Sequence, residues 1–273
     1  MEAGGHETPE RIGDRRLAQA ILYAPLVVFL SVFFYAPLVW LSYISFVDQD
    51  TGSLTLRNYL EVFTSPGYLR VFAISLAIAM ETVAATLIIA LPAAYYLAFG
   101  ARSGERPFLI AGFLVPFWVD FLLRAIAFKN LLYVLGLREG YVATLIAMVY
   151  EYLPFMLLPL YASLSVIDPS VIEAARSLGA PRSMLLSRVI IPLSMPGIMV
   201  GALLVSLMSL TEYIVPSLLG GSQVFTVGMM IYSLFLEGGL WGLGAALSIV
   251  IVAASMILAF YASRLLAVNR NAV

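Results

Sequence analysis

The sequence lacks cysteine and has one histidine, His6, among its 273 residues. The absence of cysteine excludes disulfides, thiol catalysis and iron–sulfur ligation. Because the one histidine lies in a polar N-terminal segment, neither a histidine-based triad nor a zinc site is expected in the rest of the chain. No P-loop pattern occurs, so a chain of this kind does not hydrolyse ATP in the manner of a P-loop ATPase. We therefore predict no catalytic residue, no metal site and no cofactor.

Charge is scarce as well. Charged residues make up 11% of the chain, against roughly 25% in a typical soluble domain. Hydrophobic residues make up 62%, and the mean hydropathy is +0.98. A soluble fold would need a polar surface that this composition cannot supply. The chain is therefore predicted to be an all-α integral membrane protein, and its net charge of −1 gives no sign of a nucleic-acid partner.

Six apolar stretches are long enough to cross a bilayer, since a spanning helix needs about 20 mostly apolar residues. The predicted spans are Leu17–Val47, Val71–Phe99, Pro107–Phe128, Tyr141–Val166, Ile191–Pro216 and Gly239–Ser263. The apolar segment 222–237 is bounded by glycine pairs and is short for a span. We interpret it as a short helix at the outer surface or packed against the bundle, with a seventh span as the alternative.

The arginines predict the orientation, because positively charged residues favour the cytoplasmic side. With six spans and the N-terminus inside, ten arginines fall in inner segments, whereas the outer segments hold three arginines and one lysine. Both termini are then cytoplasmic. The predicted domain boundaries are a tail at 1–16, a membrane domain at 17–266 with a cytoplasmic loop at about 167–191, and a tail at 267–273.

That loop, between the fourth and fifth spans, contains the polar sequence EAARSLGAPRSMLLSRVIIPLSMPGI. Asp168 followed by Pro169 predicts a helix start, and Gly179 suits a helix end. We expect a second helix from Pro181 that ends at Pro192. Two short helices that meet at a bend are suited to docking a partner, although arginines beside a span can also bind lipid phosphates.

The loop resembles the EAA loop in the permease subunits of ABC importers, through Glu173-Ala174-Ala175, Gly179 and Ile190-Ile191-Pro192. The resemblance covers about residues 20–265. The sequences LVPFWVDFLLRAIAFKNLL, YLPFMLLPLYASL and TEYIVPSLLGG are similar to the spermidine/putrescine branch, in particular to its first permease subunit.

The resemblance implies a six-helix type I importer permease, which is not itself an enzyme. It also implies several partners: a second permease subunit of identical or paralogous sequence, two cytoplasmic ATPase subunits, an extracytoplasmic binding protein, and membrane lipid. The residues expected to contact the ATPase are Glu173, Ala174, Ala175, Gly179 and Arg182.

Charges within the predicted spans each need a reason, since one at the bilayer centre costs about 2.5–3.5 kcal/mol on insertion scales. Carboxylates beside aromatic rings suit an elongated organic cation. We therefore predict a cation path lined by Asp120, Glu151, Glu212, Trp118, Tyr150 and Tyr213. A structural alternative pairs Asp120 with Arg124 four residues later, and Glu81 could also pair with Arg124.

Other functions stay open at this point. The same machinery could import ferric iron, thiamine or a phosphonate. An ion channel or proton-coupled carrier could use the buried acids as a relay, but it would have no use for an ATPase-docking loop. Gly197 and Gly201 form a GxxxG pattern that predicts close helix packing, either within the subunit or against a moving neighbour.

Overall fold

The computed structural model describes residues 22–49 and 51–270, and the side chains up to residue 264. This part of the chain is helical apart from connecting loops and one isolated bridge between Val47 and Leu54. Its helices are α1 (Leu22–Ser45), α2 (Arg57–Thr64), α3 (Pro66–Gly100), α4 (Arg106–Trp118), α5 (Phe121–Val134), α6 (Tyr141–Ser165), α7 (Pro169–Ser177), α8 (Arg182–Leu210), α9 (Ile214–Leu219), α10 (Val227–Glu237) and α11 (Trp241–Arg270).

The predicted count of six spans is confirmed for the described residues. Helices α1, α3, α6, α8 and α11 are each long and apolar enough to cross a membrane, and the bent pair α4–α5 makes a sixth. At 1.5 Å per residue, α10 is roughly 16 Å long, so segment 222–237 is not a seventh span. Residues 1–21, with the predicted N-terminal tail, lie outside the described part. Helix α11 continues to Arg270, past the predicted end of the membrane domain at 266.

The third span differs from the prediction of one helix over Pro107–Phe128. It breaks after Trp118, and α4 and α5 meet at an angle of 99°. Val119 and Asp120 are both extended, with ψ of 142° and 141°. The Asp120 carboxylate then caps α5 by accepting hydrogen bonds from the amides of Leu122 and Leu123 at 3.0 and 3.3 Å. An aspartate that caps a new helix stabilises this break, and hydropathy alone does not reveal it.

The second loop helix also differs from the prediction. We expected it to end at Pro192, but it continues into the fifth span as the single helix α8. A π turn over Leu186–Ile190 ends two residues before the proline. Since a π turn changes the hydrogen-bond ladder locally, α8 passes a residue that has no amide hydrogen. The fifth span itself ends at Leu210 rather than at Pro216.

The centre of the bundle is α6, which packs between α3 and α8. The GxxxG pattern makes this packing possible. A Cβ added to Gly197 would come within 2.5 Å of the Pro159 carbonyl oxygen, and one added to Gly201 within 2.7 Å of the Met156 sulfur. The close approach is therefore within the subunit, one of the two alternatives that the pattern left open.

Two hydrogen bonds mark the two ends of the bundle. At the end that we call the loop end, Arg176 of α7 donates a hydrogen bond to the Tyr95 hydroxyl of α3, at 3.0 Å. At the opposite end, the amide of Gly140 donates to the carbonyl of Leu219 at 2.7 Å. The bent span and the start of α9 bring the polar side chains of the membrane region to a position between these ends.

Candidate functional site

A buried ion pair joins an arginine and a glutamate from two different spans. Arg124 Nη2 of α5 lies 2.8 Å from Glu151 Oε2 of α6, and the two side chains are 8% and 2% exposed. Burying each charge costs several kcal/mol, and only a well-placed partner offsets that cost. The pair therefore holds α5 against α6 near the bend in the third span.

The guanidinium of Arg124 also contacts α4, on the other side of the bend. Its Nη1 donates to the Pro116 carbonyl at 3.2 Å, and its carbon lies 4.1 Å from the centroid of the Phe117 ring. Such a cation–π contact is favourable, more so when it is desolvated. Arg124 thus connects three helices, α4, α5 and α6.

A second buried acid, Glu212, lies where α8 gives way to α9. Its Oε1 accepts hydrogen bonds from the amides of Ile214 and Val215 at 2.7 and 3.2 Å, which caps α9. Its Oε2 accepts a hydrogen bond from the Tyr152 hydroxyl of α6. Because Tyr152 follows Glu151 directly, Tyr152 links the two acids through a common stretch of α6.

An open cleft of about 370 Å³ adjoins this cluster. Its walls are aromatic, acidic and apolar, and the residues that line it are Phe121, Tyr152, Met208, Thr211, Glu212, Tyr213 and Ile214. Aromatic faces beside a carboxylate form a suitable environment for an organic cation. The cleft lies between the start of α5, where the third span bends, and the start of α9.

The six residues predicted for the path do not all meet here. Glu212 and Tyr213 line the cleft, and Glu151 lies behind it in the ion pair. Trp118 is 89% exposed at the bend, so it does not line the cleft. Tyr150 stacks on Phe128, with ring centroids 4.7 Å apart.

The alternative pairing of Asp120 with Arg124 is wrong, because Arg124 pairs with Glu151 and Asp120 caps α5. Glu81, the other candidate partner of Arg124, lies beside Tyr141. Sequence reasoning missed the Arg124–Glu151 pair because the two residues are 27 positions apart. It also missed the contact of Phe117 with Arg124 and that of Tyr152 with Glu212, because the sequence shows the rings but not their neighbours on other helices.

The loop between α6 and α8 has the predicted helix start and end. The Asp168 carboxylate accepts a hydrogen bond from the Ser170 amide at 2.9 Å, and this bond holds the pKa of Asp168 below its usual range. Gly179 follows α7 with a φ of +78°, a left-handed conformation that favours glycine. Leu178, before it, is 89% exposed.

The five residues predicted to contact an ATPase lie on α7, at the bend after it and, for Arg182, at the first position of α8. Glu173, Ala174, Gly179 and Arg182 are exposed and Ala175 is half-buried, whereas Ile172 of the same helix is buried against the bundle. The loop therefore has a side anchored on the spans and a side that is free to contact another protein. The outward side includes the glutamate and the glycine of the motif.

Comparison with known proteins identifies the family. The sequence profile of the family described as "Binding-protein-dependent transport system inner membrane component" matches residues 15–270. The chain belongs to this family. It is thus the permease subunit of a binding-protein-dependent ABC importer, a multi-pass protein of the inner membrane, and the ATPase is a separate chain.

Curated members of the family are similar over nearly the whole chain. The spermidine/putrescine transport system permease protein PotB of Escherichia coli (strain K12) is 35% identical, over 88% of this chain and 96% of the relative. PotB of Haemophilus influenzae (strain ATCC 51907 / DSM 11121 / KW20 / Rd) is 32% identical, over 90% of this chain and 93% of the relative. The inner membrane ABC transporter permease protein YdcU of E. coli (strain K12) is 28% identical over 78% of each chain.

Solved structures of importers confirm the fold class. A chain of a bacterial alginate ABC transporter superimposes with a TM-score of 0.70 at 17% identity, over 94% of this chain and 96% of that one. A chain of the MetNI methionine ABC transporter, in an inward-facing conformation, gives 0.59 at 17% identity, over 74% and 95%. The type I importer permease predicted from the sequence is therefore the observed fold.

Proposed function

We propose that this permease carries polyamines such as spermidine and putrescine into the cytoplasm. The observation that carries the proposal is the buried acid cluster beside an aromatic cleft. Glu151 and Glu212 contribute two negative charges and Arg124 one positive charge, so with both acids ionised the cluster has a net charge of −1. The similarity to PotB proteins over about nine-tenths of the chain supports the same substrate class.

The cluster disfavours an anionic substrate. An anion path needs basic groups along its walls, but the residues that line the cleft include no basic group; they are a carboxylate, aromatic rings, a threonine and apolar side chains. Moving an ammonium group through a low-dielectric region requires fixed negative charge nearby. The similarity to alginate and methionine transporters, below 25% identity, concerns the fold alone.

Partners and orientation complete the proposal. A second permease, expected to be a paralogue, would form the passage with this chain. Two ATPase subunits would bind the loop end of the bundle, and an extracytoplasmic binding protein would dock at the opposite end. The excess of arginines near the loop end supports a cytoplasmic position for that end. The domain boundaries at 17–266 and the roles of Glu173 and Arg182 stay predictions within this scheme.

The test is uptake by the complete complex reconstituted in proteoliposomes. We expect ATP-dependent uptake of spermidine or putrescine and none of an anionic solute. Combining Glu151→Gln with Glu212→Gln should lower spermidine uptake by about tenfold or more, because removing a nearby charge from a partly buried site is worth more than 1.4 kcal/mol. The amide oxygen of the glutamine at position 212 can still accept the hydrogen bonds that cap α9.

Glu139→Gln is the matched control. It removes an acid from an ion pair with Lys129 (2.6 Å) at the opposite end of the bundle, outside the cleft. Uptake by this variant should equal that of the wild type. Undiminished spermidine uptake by the double variant would refute a cation path through this cluster.

A further inference from the structure

Arg124 occupies the position that a substrate cation would need in order to reach Glu151. We propose that Arg124 is an internal counter-cation, which neutralises Glu151 while the path is empty and yields this carboxylate to an ammonium group of the substrate during transport. This inference rests on the proposed function and adds to it a residue that determines specificity for positive charge.

The contacts of the guanidinium are those that any organic cation could make. The three shortest are a carboxylate at 2.8 Å, an aromatic face at 4.1 Å and a backbone carbonyl at 3.2 Å, and a second aromatic face, that of Phe121, lies at 5.7 Å. None of these groups requires the planar shape of arginine. An alkylammonium group can form an ion pair, a cation–π contact and a hydrogen bond with the same three partners.

The ion pair is incomplete, which leaves room for exchange. Among the described residues, Arg124 Nε and both carboxylate oxygens of Glu151 are buried without a well-formed hydrogen bond, although Oε2 lies 2.8 Å from Arg124 Nη2. A buried acceptor without a partner carries a desolvation cost. An ammonium donor that binds Oε1 would recover this cost before Arg124 leaves, so the exchange need not pass through an unpaired buried carboxylate.

Arg124 lies next to the bend in the third span, so a change in the bend can move its guanidinium away from Glu151. Arg124 lies in the first turn of α5, whereas Pro116 and Phe117 belong to α4 on the other side of the 99° angle. A change in that angle would alter all three contacts together. Phe121, whose ring centroid lies 5.7 Å from the guanidinium carbon of Arg124, lines the cleft, so the cleft lies next to the pair and is the route by which a cation would reach it.

This arrangement selects for charge without a dedicated recognition pocket. A neutral or anionic solute cannot replace the guanidinium, because it would leave the Glu151 carboxylate buried and unpaired, which is strongly unfavourable. A solute with two or more ammonium groups can replace Arg124 at Glu151 with one group while another contacts Glu212.

The experiment measures the affinity of the nucleotide-free complex, in nanodiscs, for radiolabelled spermidine. In Arg124→Gln the competitor of the substrate is gone. A competitor that occupies Glu151 for nine-tenths of the time weakens binding about tenfold, so this variant should bind spermidine about tenfold more tightly than the wild type. Adding Glu151→Gln should abolish the gain and weaken binding below that of the wild type.

Two further variants keep the result decisive. Lys129→Gln, which neutralises the base of another ion pair on the same helix, should bind spermidine like the wild type. Arg124→Lys keeps the charge and decides the question if Arg124→Gln does not assemble; since one ammonium nitrogen replaces the two guanidinium nitrogens that contact Glu151 and Pro116, lysine should compete less well, and this variant should bind spermidine about threefold more tightly.

A purely structural role for the pair predicts a different pattern. Arg124→Gln and Arg124→Lys would then leave the affinity unchanged, and the neutral pair Arg124→Gln with Glu151→Gln would bind and transport as the wild type does. Either result overturns the inference. If instead the wild-type complex takes up no polyamine, the proposed function itself fails, which uptake measurements on the unmodified complex detect separately.

Discussion

At the scale of single residues, the acids in the membrane region have more than one role. Asp120 and Glu212 both cap helices that begin inside the membrane region, where amide groups need acceptors that lipid cannot supply. The sequence predicts that such acids have a reason to be there, but it does not separate a cap from a substrate contact. To separate the two roles, one must know where the helices break, and a hydropathy profile does not show these positions.

Glycines on α8 allow α6 and α8 to pack closely, so a larger residue there should destabilise the complex. In Gly197→Ala the new Cβ would lie 2.5 Å from a backbone oxygen of Pro159, which cannot move as a flexible side chain can. We expect the complex to be destabilised by about 1–3 kcal/mol, as in other overpacked sites. The measurement is the melting temperature of the purified complex.

Gly112→Ala on α4 is the control, since nothing lies within 4 Å of an added Cβ there. This substitution should leave the melting temperature unchanged or raise it slightly, because alanine favours a helix over glycine. Equal melting temperatures for the two alanine variants would show that the close packing of α6 and α8 is not as described.

At the scale of helices, sequence patterns predicted the number of spans and the first loop helix, but not the continuity of the elements. The capping pair Asp168-Pro169 and the left-handed Gly179 are local signals, and both were interpreted correctly. The break after Trp118 and the passage of α8 through Pro192 depend on an aspartate cap and a π turn. Proline alone does not tell whether a membrane helix breaks or continues.

The bend after α7 depends on the left-handed backbone conformation of Gly179. Gly179→Val places a β-branched residue at a φ of +78°, so the loop should no longer present its exposed side in the same geometry. If this side transmits ATP hydrolysis to the spans, substrate-stimulated ATPase activity should fall about 5–150-fold, the range that a coupling free energy of 1–3 kcal/mol covers.

Gly136→Val is the matched control, because Gly136 has a φ of +80°, open space around it and a position at the opposite end of the bundle. Both valine variants should lose similar stability, and ATPase stimulation should persist in Gly136→Val. Normal stimulation in Gly179→Val, with the protein present at wild-type levels, would rule out coupling through this bend.

At the scale of the whole molecule, much of the apolar surface is still uncovered. None of the most apolar window of α1 is buried within the chain, although this helix is long enough to span a bilayer. An apolar surface of this extent must contact lipid or another protein. Lipid and a second permease are the neighbours proposed for this chain. Composition predicted the membrane, whereas no feature of one sequence decides which permease completes the passage.

The central claim at this scale is that the loop end of the bundle faces the cytoplasm, where ATP is hydrolysed. The parent chain has no cysteine, so single cysteines can be labelled without background. Leu178→Cys probes the loop end, and Thr51→Cys probes the exposed loop after α1 at the opposite end. Each position is labelled with a membrane-impermeant maleimide in right-side-out and in inside-out vesicles.

We predict that the cysteine at position 178 reacts only in inside-out vesicles and that bound ATPase protects it, whereas the cysteine at position 51 reacts only in right-side-out vesicles. Reaction at position 178 from the outer side would contradict both the orientation and the docking of the ATPase on the EAA loop.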